Sequence, residues 1–309
     1  MLIDRAKMFA QVRDFFHKRN VLEVDCPSLV QCPPIDTNID VMEVYYSDHQ
    51  FGYLHTSPEY AMKRLITYGM KDIYHMGHVF RKGDLGVKHS PEFTMIEWYR
   101  LGIEYKNFIL ETCELIELFI GKLPISFISY RDAFLKYTGI DPFCVTREKC
   151  IEEIKKREIE FSFSLEEEEL DSLLHLLLSR SVEEHLGKGE LTVFYEYPAS
   201  QAALSRTYVK DGVVVAERFE IYFQGVELAN GFHELAESKE LRERIEKENG
   251  RRQEDGKKPY PIDEKFLDAL SNLPDCCGVS VGFDRLMMLR HQKRSIQEVL
   301  PLAISSAAQ

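Results

Sequence analysis

Residues 80–99 read FRKGDLGVKHSPEFTMIEWY, the pattern of a hairpin laid over a ligand. An apolar run over 73–80 leads into a polar loop holding Gly83 and Gly86, and a second strand alternates over 93–99. The two-residue period puts Phe93, Met95, Glu97 and Tyr99 on one face. An aromatic plate, a carboxylate and a phenol together suit a packed core poorly, because a buried ionised glutamate needs a partner. A binding floor accounts for the mixture. Arg81 ends the first strand, where its planar donor fork can pair with a phosphate or carboxylate bound on that floor. The other reading is a surface hairpin with a salt bridge.

A second informative stretch lies at 191–235. Strands are predicted over 191–197, 206–210, 213–223 and 226–235, joined by Asp211-Gly212 and Gln224-Gly225, both two-residue hairpin signals. The result is an antiparallel meander, which excludes a doubly wound parallel sheet. Glu217, Glu220, Glu227, Asn230 and Glu234 sit inside it, too many carboxylates for an ordinary sheet interior. Lying across the hairpin from one another, Glu220 and Glu227 would hold a hard cation such as magnesium with a bound phosphate. Asn230 and Glu234 share a face by parity and would bind the ammonium of an amine substrate. A solvent-exposed sheet face is the alternative.

The 309 residues allow one large domain or two small ones, and 44% hydrophobic with 29% charged residues describe an ordinary globular protein. No apolar run is long enough to span a bilayer, and MLIDRAKMFAQVRDFF at the N-terminus has amphipathic-helix spacing without the features of a signal peptide. A cytoplasmic location is therefore expected. Seven cysteines form no CxxC, and adjacent Cys276 and Cys277 cannot easily bridge, so reduced thiols without a zinc site are expected. A net charge of −12 argues against a dedicated nucleic-acid surface. Lys63, Arg64 and Lys71 form a short basic cluster and residues 242–258 are rich in both signs; such runs read as solvated helix faces.

Met8, Phe9, Val12, Phe15 and Phe16 line one face of the first helix, and a strand over 21–24 stops at Pro27. Short strands follow at 41–46 and 52–54. Ser57 is placed to cap a helix over 60–67, with Pro58 and Glu59 in its first turn, a reading that needs no ligand. The spacing predicts a core helix over 105–119 and a helix-rich section over 130–189, where the acidic run 166–169 opens a helix continuing into 173–178. His175 and His185 there read as structural. Near the end, GVSVGFDR leads from a strand into a helix over 286–290. Small residues at 278, 280 and 282 keep one strand face open, and Arg285 at the helix start can hold a phosphate together with backbone N–H groups. No GxxxxGK[ST] loop and no GxGxxG after a strand is present.

Together, the first helix with the strand ending at Pro27, FR with its loop and HSPEFTMIEWY, and GVSVGFDR resemble the three signature motifs of the class II aminoacyl-tRNA synthetases, in order and over nearly the whole chain. TSPEYAMKRL, HSPEFTMIEWY and ERFEIYFQGVELANGFHEL resemble the lysyl branch. Within it, the likeness is to paralogues that ligate (R)-β-lysine to elongation factor P. With the first-motif helix at the start of the sequence, no N-terminal anticodon-binding OB-fold is expected, and Ser280 stands where the synthetases resemble one another in having glycine and the paralogue in having a small side chain.

The resemblance implies an α+β fold: a single class II catalytic domain over 1–309, its antiparallel sheet flanked by helices, with a helix-rich insertion at about 130–190 and no anticodon-binding domain. It implies an ATP-dependent ligase that makes an aminoacyl-adenylate and passes the acyl group to a protein lysine, working as a homodimer without tRNA. Arg81 would contact the α-phosphate, Phe93 stack on adenine, Ser90 help hold the nucleotide and Arg285 bind the distal phosphate. Lys82, Gly83, Leu228 and Gly282 complete the implied ATP site, and Glu220 and Glu227 would hold magnesium. Ser57, Pro58, Glu59, Glu97, Tyr99, Asn230, Glu234 and Ser280 would line the amino-acid pocket. One departure stands out. The family reads Arg-x-Glu, whereas here Gly83 follows Arg81 and Lys82 and the acid is Asp84. Two other readings are a minimal lysyl-tRNA synthetase or other amino-acid-activating enzyme, and a non-catalytic synthetase-like regulator.

Overall fold

The computed structural model describes residues 1–36, 39–161 and 164–303. The chain forms two compact units, Met1–Gly121 with Glu234–Gln309, and Lys122–His233. In the first, α1 (Leu2–His17) buries Met8, Val12, Phe15 and Phe16, the expected apolar stripe, and also Arg5. A two-residue strand β1 (Leu22–Glu23) is all that forms of the strand expected at 21–24. Strands β2 (Leu29–Val30), β3 (Met42–Ser47) and β4 (Gln50–Leu54) make a small antiparallel sheet in the order β2-β4-β3. Helix α2 (Glu59–Thr67) follows, then β5 (Ile73–Phe80), β6 (Glu92–Leu101) and α3 (Tyr105–Ile120).

The hairpin is present. β5 and β6 pair antiparallel from Ile73 opposite Tyr99 to Phe80 opposite Glu92. Residues 94–99 are buried on both faces of β6, so the surface-hairpin reading falls. Phe16 of α1 stacks on Tyr74 at 4.2 Å between ring centres and meets Trp98 edge-on at 5.3 Å, which seats the first helix on this sheet. β1 joins β5 in parallel.

In the second unit β7 (Ile125–Ser129) leads into α4 (Tyr130–Thr138), α5 (Arg147–Lys156) and α6 (Leu170–Leu177). Ser129 and Thr146 cap α4 and α5 by accepting the N–H of Asp132 and Lys149. The acidic run does not open a helix. Glu169 is only the cap residue of α6, and Glu166 pairs with Lys155 at 2.9 Å. Strands β8 (Leu191–Pro198), β9 (Thr207–Lys210), β10 (Val213–Phe223) and β11 (Val226–His233) follow, antiparallel as expected but not a simple meander, because β8 and β9 both pair with β10 and not with each other. Both hairpin dipeptides take left-handed backbone, with φ of 49° and 79° at Asp211 and Gly212 and 52° and 65° at Gln224 and Gly225. β7 pairs with β8 in parallel, so the antiparallel description holds for most pairs but not for this one or β1–β5. Tyr130, Phe134 and Phe194 stack in the core beneath the helices, and His185 stacks on Tyr137 while His175 is exposed.

The chain re-enters the first unit through α7 (Ser238–Glu254), α8 (Glu264–Leu270), β12 (Cys276–Gly282) and α9 (Phe283–Arg290). β12 lies antiparallel to β6. At its end Asp284, 1% exposed, takes an ion pair from Arg5 and the N–H of Thr94 at 2.6 Å, while Arg5 also donates to the Thr94 hydroxyl at 2.8 Å. First helix, central strand and last helix meet in this pair. All seven cysteines are free, and no described helix is long and apolar enough to cross a membrane.

Removing one partner of a buried ion pair leaves the other charge uncompensated. Asp284→Ala is therefore expected to lower unfolding free energy by about 3–5 kcal/mol, read from urea midpoints. A loss below about 1 kcal/mol would show that the pair contributes little.

Candidate active site

At one end of the hairpin, Arg81 closes β5 with its N–H on the Pro91 carbonyl at 2.8 Å, and its guanidinium lies over the Phe93 ring, 5.1 Å from the centroid. Arginine and aromatic plate are thus together. Lys82 donates its N–H to Asp40, and Gly83 then turns at φ 84°. In that left-handed backbone a glutamate side chain at 83 would be strained although the space around it is open. Ser90 is 3% exposed at the return of the loop.

Arg285, at the start of α9, reaches this loop from the far end of the chain. Its guanidinium meets the His89 ring nitrogen at 2.9 Å, and Ile296 ties in Val87 by a backbone bond of 2.8 Å. Desolvation, then the charges of Arg285 and Arg81, lower the His89 pKa. Two guanidiniums and an aromatic ring therefore converge on one loop, a set suited to an anion and a flat base. His89 carries no role in the sequence reading; its place beside the expected loop serine was the available signal.

Further along β6, Glu97 is 3% exposed, with the Ser57 and Tyr99 hydroxyls at 2.8 and 2.9 Å from its oxygens. Burial, reinforced by Glu59 and Glu234 and opposed by the two hydroxyls, pushes its pKa up to about 8. Ser57 does not cap α2 as expected. Pro58 holds that position, and the Ser57 hydroxyl accepts the Glu59 N–H at 3.0 Å while donating to Glu97. The small residues of β12 stand opposite this floor: Gly278 faces Tyr99, Ser280 faces Glu97 and Gly282 faces Met95. A Cβ on Gly278 would stand 2.3 Å from both the Tyr99 ring and the Glu234 carboxylate. A Cβ on Gly282 would make only ordinary contact with Arg285.

Lys63 does not belong to a surface cluster. It is 1% exposed, with its ammonium 2.6 Å from Glu59 and 2.5 Å from Glu234. The Glu59–Lys63 spacing of four on a helix was the signal that could have placed it. Glu234, expected to share an ammonium site with Asn230, already carries this internal one.

In the second unit the carboxylates are not on a solvated face: Glu220 is 6% exposed. Nor do Glu220 and Glu227 lie directly opposite. Glu220 pairs with Asn230 and Tyr222 with Glu227, because a bulge breaks the register between Ile221 and Tyr222. The extra residue, Leu228, restores parity, so Glu220, Glu227 and Asn230 share a face. Arg218 and Tyr222 each donate to Glu220 at 2.6 Å, one to each oxygen. A carboxylate has about four acceptor positions, so lone pairs remain on Glu220, but among the described residues no group of three or more His, Cys, Asp or Glu side chains is gathered to hold a metal ion. Glu217 is engaged elsewhere, with His233 at 2.7 Å.

Hairpin, small-residue strand and arginine-headed helix define a nucleotide- and amino-acid-binding fold of the class II synthetase type. Residues 1–305 match the family of tRNA synthetases class II (D, K and N), and the chain belongs to that family. Among relatives, it is 40% identical over 313 residues to the elongation factor P–(R)-β-lysine ligase of Haemophilus ducreyi, covering 99% of this chain and 94% of that protein. Ligases with the same name from Salmonella typhi and Avibacterium paragallinarum are each 39% identical over 312 residues, covering 99% of this chain and 95% and 96% of theirs.

Between the ordinary carboxylate range and about pH 8, folded protein keeps a proton on Glu97 that the unfolded chain has lost. Stability from this group therefore falls as pH rises through that window, by up to about 1.4 kcal/mol per pH unit. Urea midpoints at pH 6 and pH 8 are expected to show a fall that is smaller in Glu97→Gln; equal falls would place Glu97 in an ionised state throughout.

Proposed function

We propose that the protein is an ATP-dependent, AMP-forming ligase that activates (R)-β-lysine as an adenylate and transfers it to a lysine side chain of elongation factor P. The observation that carries this reading is the match of 39–40% identity across 99% of the chain to ligases of that name. The buried carboxylates Glu59, Glu97 and Glu234 support it, because a diamino acid brings ammonium groups that such a pocket can pair. The net charge of −12 supports a protein acceptor over tRNA.

In the first step a carboxylate oxygen of the amino acid attacks the α-phosphorus of ATP; pyrophosphate leaves and a mixed anhydride forms. In the second, the acceptor amine attacks the acyl carbon, AMP leaves, and the amine gives up a proton as the amide forms. No side chain becomes covalently attached, so rate comes from positioning and from charge placed where it develops. Arg81 faces the α-phosphate, Phe93 stacks on adenine with Gly282 in the floor, Ser90, Lys82 and the Gly83 turn shape the nucleotide loop, and Arg285 binds the distal phosphate. Glu220 and Glu227 would hold magnesium, which would offset phosphate charge, and Leu228 sets their bulge. Ser57, Pro58, Glu59, Glu97, Tyr99, Asn230, Glu234 and Ser280 serve the amino acid. The protein works in the cytoplasm as a homodimer, as one catalytic domain with a helix-rich insertion at about 130–190.

ATP–pyrophosphate exchange with α-lysine and with each β-lysine enantiomer, followed by acceptor assays with elongation factor P and with tRNA, tests this. Exchange with (R)-β-lysine and labelling of elongation factor P are expected, with Arg285→Ala lowering exchange at least about 100-fold while circular dichroism is unchanged. Charging of tRNA in place of the protein would overturn the acceptor, and full exchange in Arg285→Ala would overturn the site.

A further inference from the structure

Arg252 belongs to the charge-rich run over 242–258 that reads as a solvated helix face, yet it is 3% exposed. Near the end of α7 its guanidinium covers the Tyr260 ring, 3.9 Å from the centroid, and donates to the Asp40 carboxylate at 2.9 Å. Lys257 places a second cation 3.6 Å from the same carboxylate. Burial alone would raise the Asp40 pKa; the Arg252 hydrogen bond and the charges of Lys257 and Arg252 overcome it and hold the carboxyl below its ordinary value. What this pair fastens lies one bond further on. The Val41 N–H donates to the Tyr260 hydroxyl at 3.1 Å, and the Asp40 carbonyl accepts the Lys82 N–H at 2.8 Å. That carbonyl and that N–H belong to one planar peptide unit, so a hydroxyl holding one edge aims the other. Tyr260 is itself held: its backbone N–H and carbonyl both bond the Asn249 side chain of α7 at 3.0 Å, and its ring packs with Val41 and Tyr53.

Lys82 stands between Arg81, whose guanidinium lies over the Phe93 ring, and the left-handed turn at Gly83. Resting on the ligase reading above, we propose that Arg252 and Tyr260 are positioning residues for the nucleotide loop: they fix the Asp40–Val41 peptide, whose carbonyl sets Lys82 and with it the direction in which Arg81 leaves β5. Neither side chain is required to touch ATP. A loop anchored before its ligand arrives loses less entropy on gripping it, whereas a released Lys82 amide lets Arg81 and the Gly83 turn sample directions away from a phosphate. The loss falls on nucleotide binding, because the floor of Glu97, Tyr99 and β12 is fixed by its own strand register and not by this peptide.

Tyr260→Phe removes one hydroxyl and keeps the ring under Arg252. Arg252→Met removes the guanidinium, and Asp40→Asn removes the carboxylate charge while keeping the carbonyl that receives Lys82. For each, the KM for ATP in pyrophosphate exchange and the Kd for ATP with magnesium by equilibrium dialysis are expected to rise at least about fivefold, with the KM for β-lysine within about twofold. Arg252→Met and Asp40→Asn together are expected to cost no more than the larger single effect, since both break one pair, and the double variant leaves neither of these two charges without the other. Hydrogen exchange of the ligand-free protein reads the peptide directly: the Lys82 amide is expected to exchange at least about tenfold faster in Tyr260→Phe, with the amides of 74–79 unchanged. A smaller rise in the ATP Kd in all three variants, whatever happens to Tm or kcat, would show that these residues only hold the fold and overturn the proposal. Weakened ATP binding without faster exchange at Lys82, or effects of Arg252→Met and Asp40→Asn that multiply, would overturn it as well. If the unsubstituted protein binds ATP but exchanges with no β-lysine, the ligase reading fails, and the ATP Kd and the Lys82 amide still decide the clamp. No ATP binding by the unsubstituted protein overturns both.

Discussion

The register between β6 and β12 is the constraint on which the amino-acid end of the molecule depends. Tyr99, Glu97 and Met95 lie on one face, and opposite them stand Gly278, Ser280 and Gly282. A phenol and a carboxylate can occupy neighbouring sites on a buried face only if the facing strand yields volume, and the missing Cβ of Gly278 leaves room for the Tyr99 ring and the Glu234 carboxylate at once. A slip of one residue would set Val279 and Val281 against that face and turn the polar floor into ordinary core. The small residues are therefore what lets the polar side chains occupy that face.

That floor is costly to fold. Glu59, Glu97 and Glu234 are all less than 9% exposed, and transferring carboxylates out of water is unfavourable unless each finds compensation. The fold compensates in two ways. Lys63 supplies a cation to Glu59 and Glu234, and Glu97 keeps its proton between two hydroxyls. Each device answers a burial cost with a group the fold itself supplies, an ammonium in one case and a retained proton in the other.

How much of this was legible in the sequence follows from the range of the signals. Hairpins declare themselves locally: Asp211-Gly212 and Gln224-Gly225 demand left-handed backbone, and the alternation over 93–99 marks its own face. The mixed chemistry of Phe93, Glu97 and Tyr99 was likewise visible, since strand parity alone groups them. Lys63 was not. Its neighbours in sequence, Arg64 and Lys71, suggested a solvated face, and what buries it is Glu234, 171 positions away. The bulge at Leu228 was hidden for a related reason, because a one-residue slip has no residue signature, and parity counted straight through it misplaces Glu227. Gly83 was visible as a departure, but the left-handed backbone it adopts was not.

The phosphate-facing end depends on a different long-range contact. Asp284 and Arg285 are consecutive, yet one is 1% exposed and the other points at the loop over 83–90. Asp284 is fixed by Arg5 of the first helix and by the backbone of Thr94, which follows Phe93 on β6. Since Arg285 is the next residue, the same bonds that bury Asp284 determine where its guanidinium starts, and they tie that start to the strand carrying the Phe93 ring. A flexible arginine is thereby launched from a fixed point relative to the aromatic plate, an arrangement that reduces the ordering entropy of any contact its guanidinium makes there. The first and last helices, 279 residues apart at Arg5 and Asp284, are in this sense anchored at a common point on β6.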